Sequence, residues 1–234
     1  MNKQHILKYF ISTFFVLFVH FVGAQEQEEQ IDSLKIKQSY GIRVGVDVVR
    51  PLVQTIQKQD IGLEITADYR VANKWYIATE VGYESEIGEE DYINFTTKGS
   101  YAKLGFNYNL YENWEGMNNE VYIGLRYGFS TFQQQLNSYT VLDSDNYFGA
   151  YTATPGTTFE NLTAHWAELH FGLKVEVFPN LFLTTGIHFK KLIAEKVPDG
   201  FANLYIPGFN KVLLNNAGIG FNYTIAYLIP IQKK

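Results

Sequence analysis

Cysteine is absent from this chain of 234 residues. That excludes disulfide staples, thiol catalysis and cysteine-ligated zinc, and a chain of this length can fold without them. Charge is sparse: Asp, Glu, Lys and Arg together make up 18%. The balance is acidic, at −5, and no basic patch with interleaved rings occurs, which argues against nucleic acid as a partner. Beyond the N-terminus no apolar run is long enough for a transmembrane helix of about 20 residues. Phosphate loops, dinucleotide fingerprints, calcium loops and paired zinc motifs are missing as well. Aromatic residues, by contrast, are plentiful, with 18 Phe and 17 Tyr. Few charges and many rings, at a mean hydropathy of −0.13, are reconciled by a membrane β-barrel. Its strands turn one face to lipid and the other to a polar interior, so the average stays near zero.

Residues 1–24 read as a secretory leader. Lys3 and Lys8 supply the positive start, an apolar run spans 9–22, and Val22-Gly23-Ala24 suits cleavage. An uncleaved anchor is the alternative. No Cys follows, so a lipoprotein signal is excluded. Cleavage would remove both lysines and no acid, leaving the exported chain more acidic still. Residues 25–37, with Glu26, Glu28 and Glu29, are expected to form a flexible periplasmic lead-in. The barrel is expected over 38–229, with a short tail at 230–234.

Strict alternation predicts eight strands. The outward rows are Tyr40 to Val48, Ile61 to Tyr69, Trp75 to Tyr83, Ala102 to Leu110, Val121 to Phe129, Ala167 to Val177, Leu181 to Phe189 and Ala217 to Tyr227. Each row spans about 9–11 residues, enough to cross a bilayer when tilted. The intervening connections run 49–60, 71–73, 85–99, 111–119, 131–163, 178–180 and 191–216, roughly alternating long with short. That is the pattern of extended outer loops and tight periplasmic turns. Asn73 and Asn180 are expected to take the left-handed conformation in the two shortest turns. Tyr40, Tyr69, Trp75 and Tyr227 are expected in a periplasmic aromatic girdle, and Tyr83, Tyr127 and Phe129 in an outer one.

The polar rows place charges inside: Arg43, Asp47, Glu64, Asp68, Glu80, Lys103, Arg126, Glu168, Lys174, Glu176 and Lys190, with His170 and His188 among them. Eight strands enclose little more than their own side chains, so an ion-pair plug is expected, with a narrow solute pore as the alternative. Centring the second turn on Ala72 sets Glu64 opposite Glu80, and Arg43, Lys103 and Arg126 are the cations expected to reach them. Centring the sixth connection on Pro179 pairs His170 with His188 and Glu168 with Lys190. A lipid-acting enzyme would need a serine or threonine beside such a histidine and an acid. Two histidines are too few for a metal, and no cofactor is expected. The outer loops carry Tyr139, Tyr147, Phe148, Tyr151, Phe159, Phe201, Tyr205 and Phe209. These rings either pack a cap or present a surface to a ligand.

Four stretches carry a family resemblance: Asn94 to Tyr101, Asn109 to Trp114, Gly124 to Gly128 and Asn203 to Phe209. They resemble a family of uncharacterised Bacteroidota outer-membrane proteins, known only as a domain of unknown function. The architecture is similar to small barrels of the OmpA and OmpX type. The last strand, through Gly220-Phe221-Asn222-Tyr223 and Tyr227, resembles the C-terminal signal read by the barrel-assembly machinery. It departs from that signal by continuing through Pro230 to Lys234. The resemblance implies residence in the outer membrane after signal-directed export. Its implied partners are membrane lipid, periplasmic chaperones and the assembly machinery. The expectation is therefore an eight-stranded antiparallel up-and-down transmembrane β-barrel, structural or surface-interacting. A soluble barrel with apolar residues inside is the architectural rival.

Overall fold

The computed structural model describes residues 39–49, 51, 61–112, 117–141, 151–210 and 214–233, all within a unit spanning Ile36–Lys234. The expected leader and lead-in lie outside the described residues.

Nine strands follow in order: β1 Ser39–Asp47, β2 Ile61–Arg70, β3 Trp75–Glu90, β4 Ile93–Asn109, β5 Glu120–Val141, β6 Tyr151–Ala153, β7 Thr157–Phe178, β8 Leu181–Glu195 and β9 Ala217–Lys233. All pairings are antiparallel. The sheet runs β4-β3-β2-β1-β9-β8-β7-β5-β6, and β4 also pairs with β5. Eight strands thus close a ring, which leaves no open edge to the sheet as a whole. The ninth, β6, has three residues and pairs only with the far end of β5.

The faces follow the alternation. Leu104 is 62% exposed and Val81 56%, whereas their inward neighbours Lys103 and Glu80 are 2% and 7% exposed. A soluble barrel would show the opposite arrangement. The outward rings Tyr69, Trp75, Tyr83, Tyr127, Phe129 and Tyr227 are all exposed.

Strand length departs from expectation. Instead of about 9–11 residues, β3 has 16, β4 17, β5 22 and β7 22. The segment expected as a loop over 85–99 is mostly strand, and β3 and β4 turn over through Asp91-Tyr92. The outward row of β5 explains why. It reads Val121, Ile123, Leu125, Tyr127, Phe129 and then Thr131, Gln133, Gln135. On β4 it reads Tyr108, Phe106, Leu104, Ala102 and then Ser100, Lys98, Thr96. The apolar part covers nine residues, about 30 Å of strand, which after tilting matches the apolar band of about 25 Å in such barrels. Beyond it the outside is polar, so the inside becomes apolar: Tyr101, Phe132, Leu162, Ala164, Trp166 and Leu192 form a buried cluster there. The alternation persists but its sense inverts, and a search for apolar outward rows stops at the inversion.

Two turns differ in detail. The second turn is centred on Asn73 instead of Ala72, with Val71 N donating to Trp75 O, so Glu64 faces Gly82 and Glu80 faces Thr66. The register is therefore two residues from the expected one, with the faces unchanged. Asn73 is not among the residues with positive φ, whereas Asn180 is, at 67°. A second departure is that β9 does not end before 230 but runs through Pro230 to Lys233. There it has passed the end of β8, and its register with β1 shifts between Tyr40 and Gly41. A missing N–H is tolerated at such a bulge.

Leu104→Arg should cost about 2–4 kcal/mol of stability if that position faces the bilayer interior. Gln135→Arg, outward but beyond the apolar row, should change it by less than about 0.5 kcal/mol. Urea unfolding in lipid vesicles measures both, and equal costs would refute the belt.

Candidate functional site

The lumen is the most highly organised part of the molecule. Its ionic groups fall into two clusters, each with equal numbers of acids and bases. Near the tight turns, Arg43 pairs with Asp68 and Glu120, and Lys174 Nζ donates to Asp68 at 2.5 Å and lies 3.9 Å from Glu120. Higher up, Lys103 Nζ bridges Glu64 at 3.0 Å and Glu80 at 2.8 Å. Arg126 Nε donates to the other oxygen of Glu80 at 3.3 Å. Glu168 lies 3.9 Å from both Lys103 and Lys190. Burial makes such pairing obligatory, since a lone charge here would lose its hydration without recompense.

Arg43 therefore does not reach Glu64 or Glu80 as expected. The register places it across from Asp68, directly opposite on β2. Lys103 and Arg126 perform the expected role. Asp47 accepts from the backbone N–H groups of Val49 and Tyr223, at 3.0 and 3.1 Å. Glu176 belongs to the turn instead of the lumen, accepting from Asn180 N and Asn118 Nδ2. The sequence reading missed Glu120, which lies one position before the fifth alternating row but shares the parity of Arg126. It also missed Tyr101, whose hydroxyl donates to Glu64 at 2.7 Å, and Trp166, whose Nε1 donates to Glu168 at 2.6 Å. Both follow the inward parity of their strands and lie just past the segments where charge drew attention.

His170 and His188 face each other across β7 and β8 and stack at 3.8 Å between centroids. With Glu168 they bring donor atoms within 4.8 Å of one another, a third candidate ligand that the two-histidine count did not include. The chemistry around them disfavours a divalent cation. Glu168 already holds Trp166 and His170, with two ammonium groups 3.9 Å away. His188 Nε2 bonds Asn222 Oδ1 at 3.0 Å. Among the described residues none of the three described histidines is bonded to a serine hydroxyl: His165 meets Tyr127 instead.

Above the upper cluster the segment after β8 folds into the mouth. Its tip is a tight turn, Ile206-Pro207-Gly208-Phe209, closed by Phe209 N donating to Ile206 O at 3.0 Å. Pro207 pre-sets the first corner and Gly208, at φ 82°, takes the second. A Cβ on Gly208 would fall 2.6 Å from the Tyr101 ring. Lys190 Nζ donates to Gly208 O at 2.8 Å, and Glu84 accepts from Gly208 N and the Tyr205 hydroxyl. Buried Gln134 holds the loop by two bonds, to Ala202 O and from Leu204 N, each 2.9 Å. Ile206 and Phe209 are fully buried, and Phe209 meets Trp166 edge-on.

The other outer aromatics divide. Phe159 stacks on Phe201 at 5.7 Å and packs against the apolar cluster. Tyr139 and Tyr151 are exposed. Tyr147 and Phe148 lie outside the described residues. Between the ionic clusters a cavity of about 40 Å³ remains, room for only a few waters. A larger one of about 240 Å³ lies at the tight-turn end, bordered by Arg43, Arg70, Tyr76, Phe182 and Leu228.

The family described as Domain of unknown function (DUF6048) matches residues 6–234. The chain belongs to that family. No curated protein matches it in sequence. Among solved structures it is similar to Ail, the attachment invasion locus protein of Yersinia pestis. That match has 11% identity and a TM-score of 0.40, over 82% of this chain and 99% of the other. Neisserial surface protein A (NspA) is similar at 12% identity and a TM-score of 0.40, over 81% of this chain and 96% of that one. Each is a likeness of fold.

Lys103→Met would strand Glu64 and part of Glu80, and should cost about 3–5 kcal/mol. Exposed Lys98→Ala should stay within about 0.5 kcal/mol. Equal losses in chemical unfolding would mean the lumen is hydrated. Gly208→Ala should cost about 1–3 kcal/mol from backbone strain. It should also speed proteolysis within 196–210, and an unchanged cleavage rate would show that the tip is not docked.

Proposed function

We propose that this protein is a non-conducting outer-membrane β-barrel of a Gram-negative bacterium, exported by its 1–24 leader, that holds a rigid β-extension above the membrane surface. The Bacteroidota resemblance of its motifs agrees with that source. The observation that carries the reading is the change of polarity along one set of strands. On β5 the five outward residues from Val121 to Phe129 are apolar, and the next three, Thr131, Gln133 and Gln135, are polar beside an apolar core that includes Phe132. Only lipid rewards the first arrangement, and only water the second. The closed sheet satisfies its backbone in either medium.

A role in solute passage is opposed by two independent obstructions, the paired charges and the inserted Ile206-Pro207-Gly208-Phe209 turn. Catalysis by the His170–His188 pair is opposed by the hydrogen bonds that already occupy Glu168 and Asn222. What remains accessible is the outside of the extension, so the protein is best understood as a structural or surface-interacting element. Its biogenesis would engage periplasmic chaperones and the barrel-assembly machinery.

Fractionation should recover the folded chain with outer membranes, and boiling should shift its gel migration. Recovery from the aqueous periplasm without a shift would overturn the reading. In a planar bilayer the folded protein should give no sustained ohmic channels, and steady conductance would restore the pore alternative.

A further inference from the structure

A concavity of about 450 Å³ opens on the outside of the barrel, bordered by Lys98, Ser100, Thr131, Gln133, Glu160 and Asn161. Its origin is local and specific. Opposite Gln133 on β5, strand β7 carries two residues, Glu160 and Asn161, so the register jumps between Phe132 and Gln134. Asn161 takes φ 57°, the left-handed conformation that lets a bulge close around one extra residue. On the other side Gly99 allows the sheet to close down on Phe132, since a Cβ there would lie 2.4 Å from that side chain. Bulges of this kind re-aim side chains at barrel rims.

The height of the concavity is informative. Ser100 and Thr131 are the first polar residues above the apolar rows of β4 and β5. In a bilayer that level is the headgroup layer. Directly below lie exposed Phe129, Tyr127, Leu104 and Val81, a continuous apolar wall. His165 bonds Tyr127 at 3.0 Å and packs on Phe129 at 4.8 Å within that wall. Lys98 is exposed on this face. With Tyr83 also on its border, the lining offers one ammonium, three hydroxyls and two amides, with one carboxylate at Glu160. An ammonium suits a phosphate, while hydroxyls, amides and a carboxylate suit sugar hydroxyls.

Resting on the membrane reading above, we propose that this groove binds the phosphorylated sugar headgroup of an outer-leaflet glycolipid, with the acyl chains lying on the wall beneath. Lys98 holds the phosphate; Gln133, Asn161, Ser100 and Thr131 hold hydroxyls. A soluble sugar phosphate would leave the apolar wall unused, which is why the lipid is the favoured occupant.

The full chain is reconstituted in phosphatidylcholine nanodiscs and titrated with monophosphoryl lipid A, with bound lipid read by native mass spectrometry. Wild type should retain the lipid, Lys98→Glu should weaken retention about tenfold, and Lys98→Arg should preserve it. A dephosphorylated probe should bind wild type and Lys98→Glu alike. Inorganic phosphate should not displace the lipid, and displacement would assign the groove to a soluble anion instead. Equal retention by wild type and Lys98→Glu, with heat-modifiable migration intact, would overturn the site alone. Failure of the folded chain to enter the bilayer would overturn the membrane reading and the site together.

Discussion

A carboxylate sealed inside an eight-stranded ring has an apolar outer wall behind it and almost no water in front of it. It must therefore be met by a cation from another strand, and the rest of the lumen is arranged around that requirement. Lys103 is the centre of it. One ammonium, 2% exposed, serves Glu64 from β2 and Glu80 from its neighbour β3. Tyr101 donates to the same Glu64 oxygen as Lys103, and Arg126 takes the Glu80 oxygen that Lys103 leaves. Since the partners lie on different strands, the network also fixes how the strands are staggered. A slip of two residues in one pairing would separate acids from bases while leaving every side chain on its proper face.

The same constraint explains why the ring is not filled with charge to its top. Where the outward rows turn polar above Phe129 and Ala102, the interior takes over the apolar residues. Trp166 stands at this boundary. Its indole nitrogen joins the ionic cluster through Glu168, and its ring packs against Phe209 in the apolar one. Lys190 mirrors it, with its ammonium near Glu168 and bonded to the carbonyl of Gly208. The inserted turn is thus joined to both regimes, which makes the plug part of the folded core instead of a lid lying over it.

Family membership adds no activity, and the fold accommodates many. The physical features narrow the field more than the likenesses do. A stacked histidine pair beside a glutamate would attract attention as a catalytic or metal centre. Here Trp166, Asn222, Lys103 and Lys190 already satisfy or oppose the chemistry it would require. Accessible chemistry lies on the outside, where the β7 bulge opposite Gln133 opens a concavity in the wall.

Alternation by itself determined the antiparallel sheet, the identity of nearly every outward residue on the apolar rows and the inward placement of the charges. It could do so because a strand has period two and its outer face keeps one sign along the apolar rows. The His170–His188 and Glu168–Lys190 pairs were legible as well, because the main β7–β8 register is symmetric about Pro179. Which acid meets which base was not legible. The second turn is centred one residue later, on Asn73, which moves Glu64 two residues away from Glu80 and leaves Lys103 to bridge them. The long strands were hidden because their outward rows change from apolar to polar, and an alternating pattern whose sense inverts resembles a loop. The plug was legible only in part. Phe209 was among the rings expected to pack a cap or face a ligand, but its burial with Ile206 and Pro207 depends on Tyr101, Trp166 and Glu84, contributed by strands that precede them by 40 residues or more.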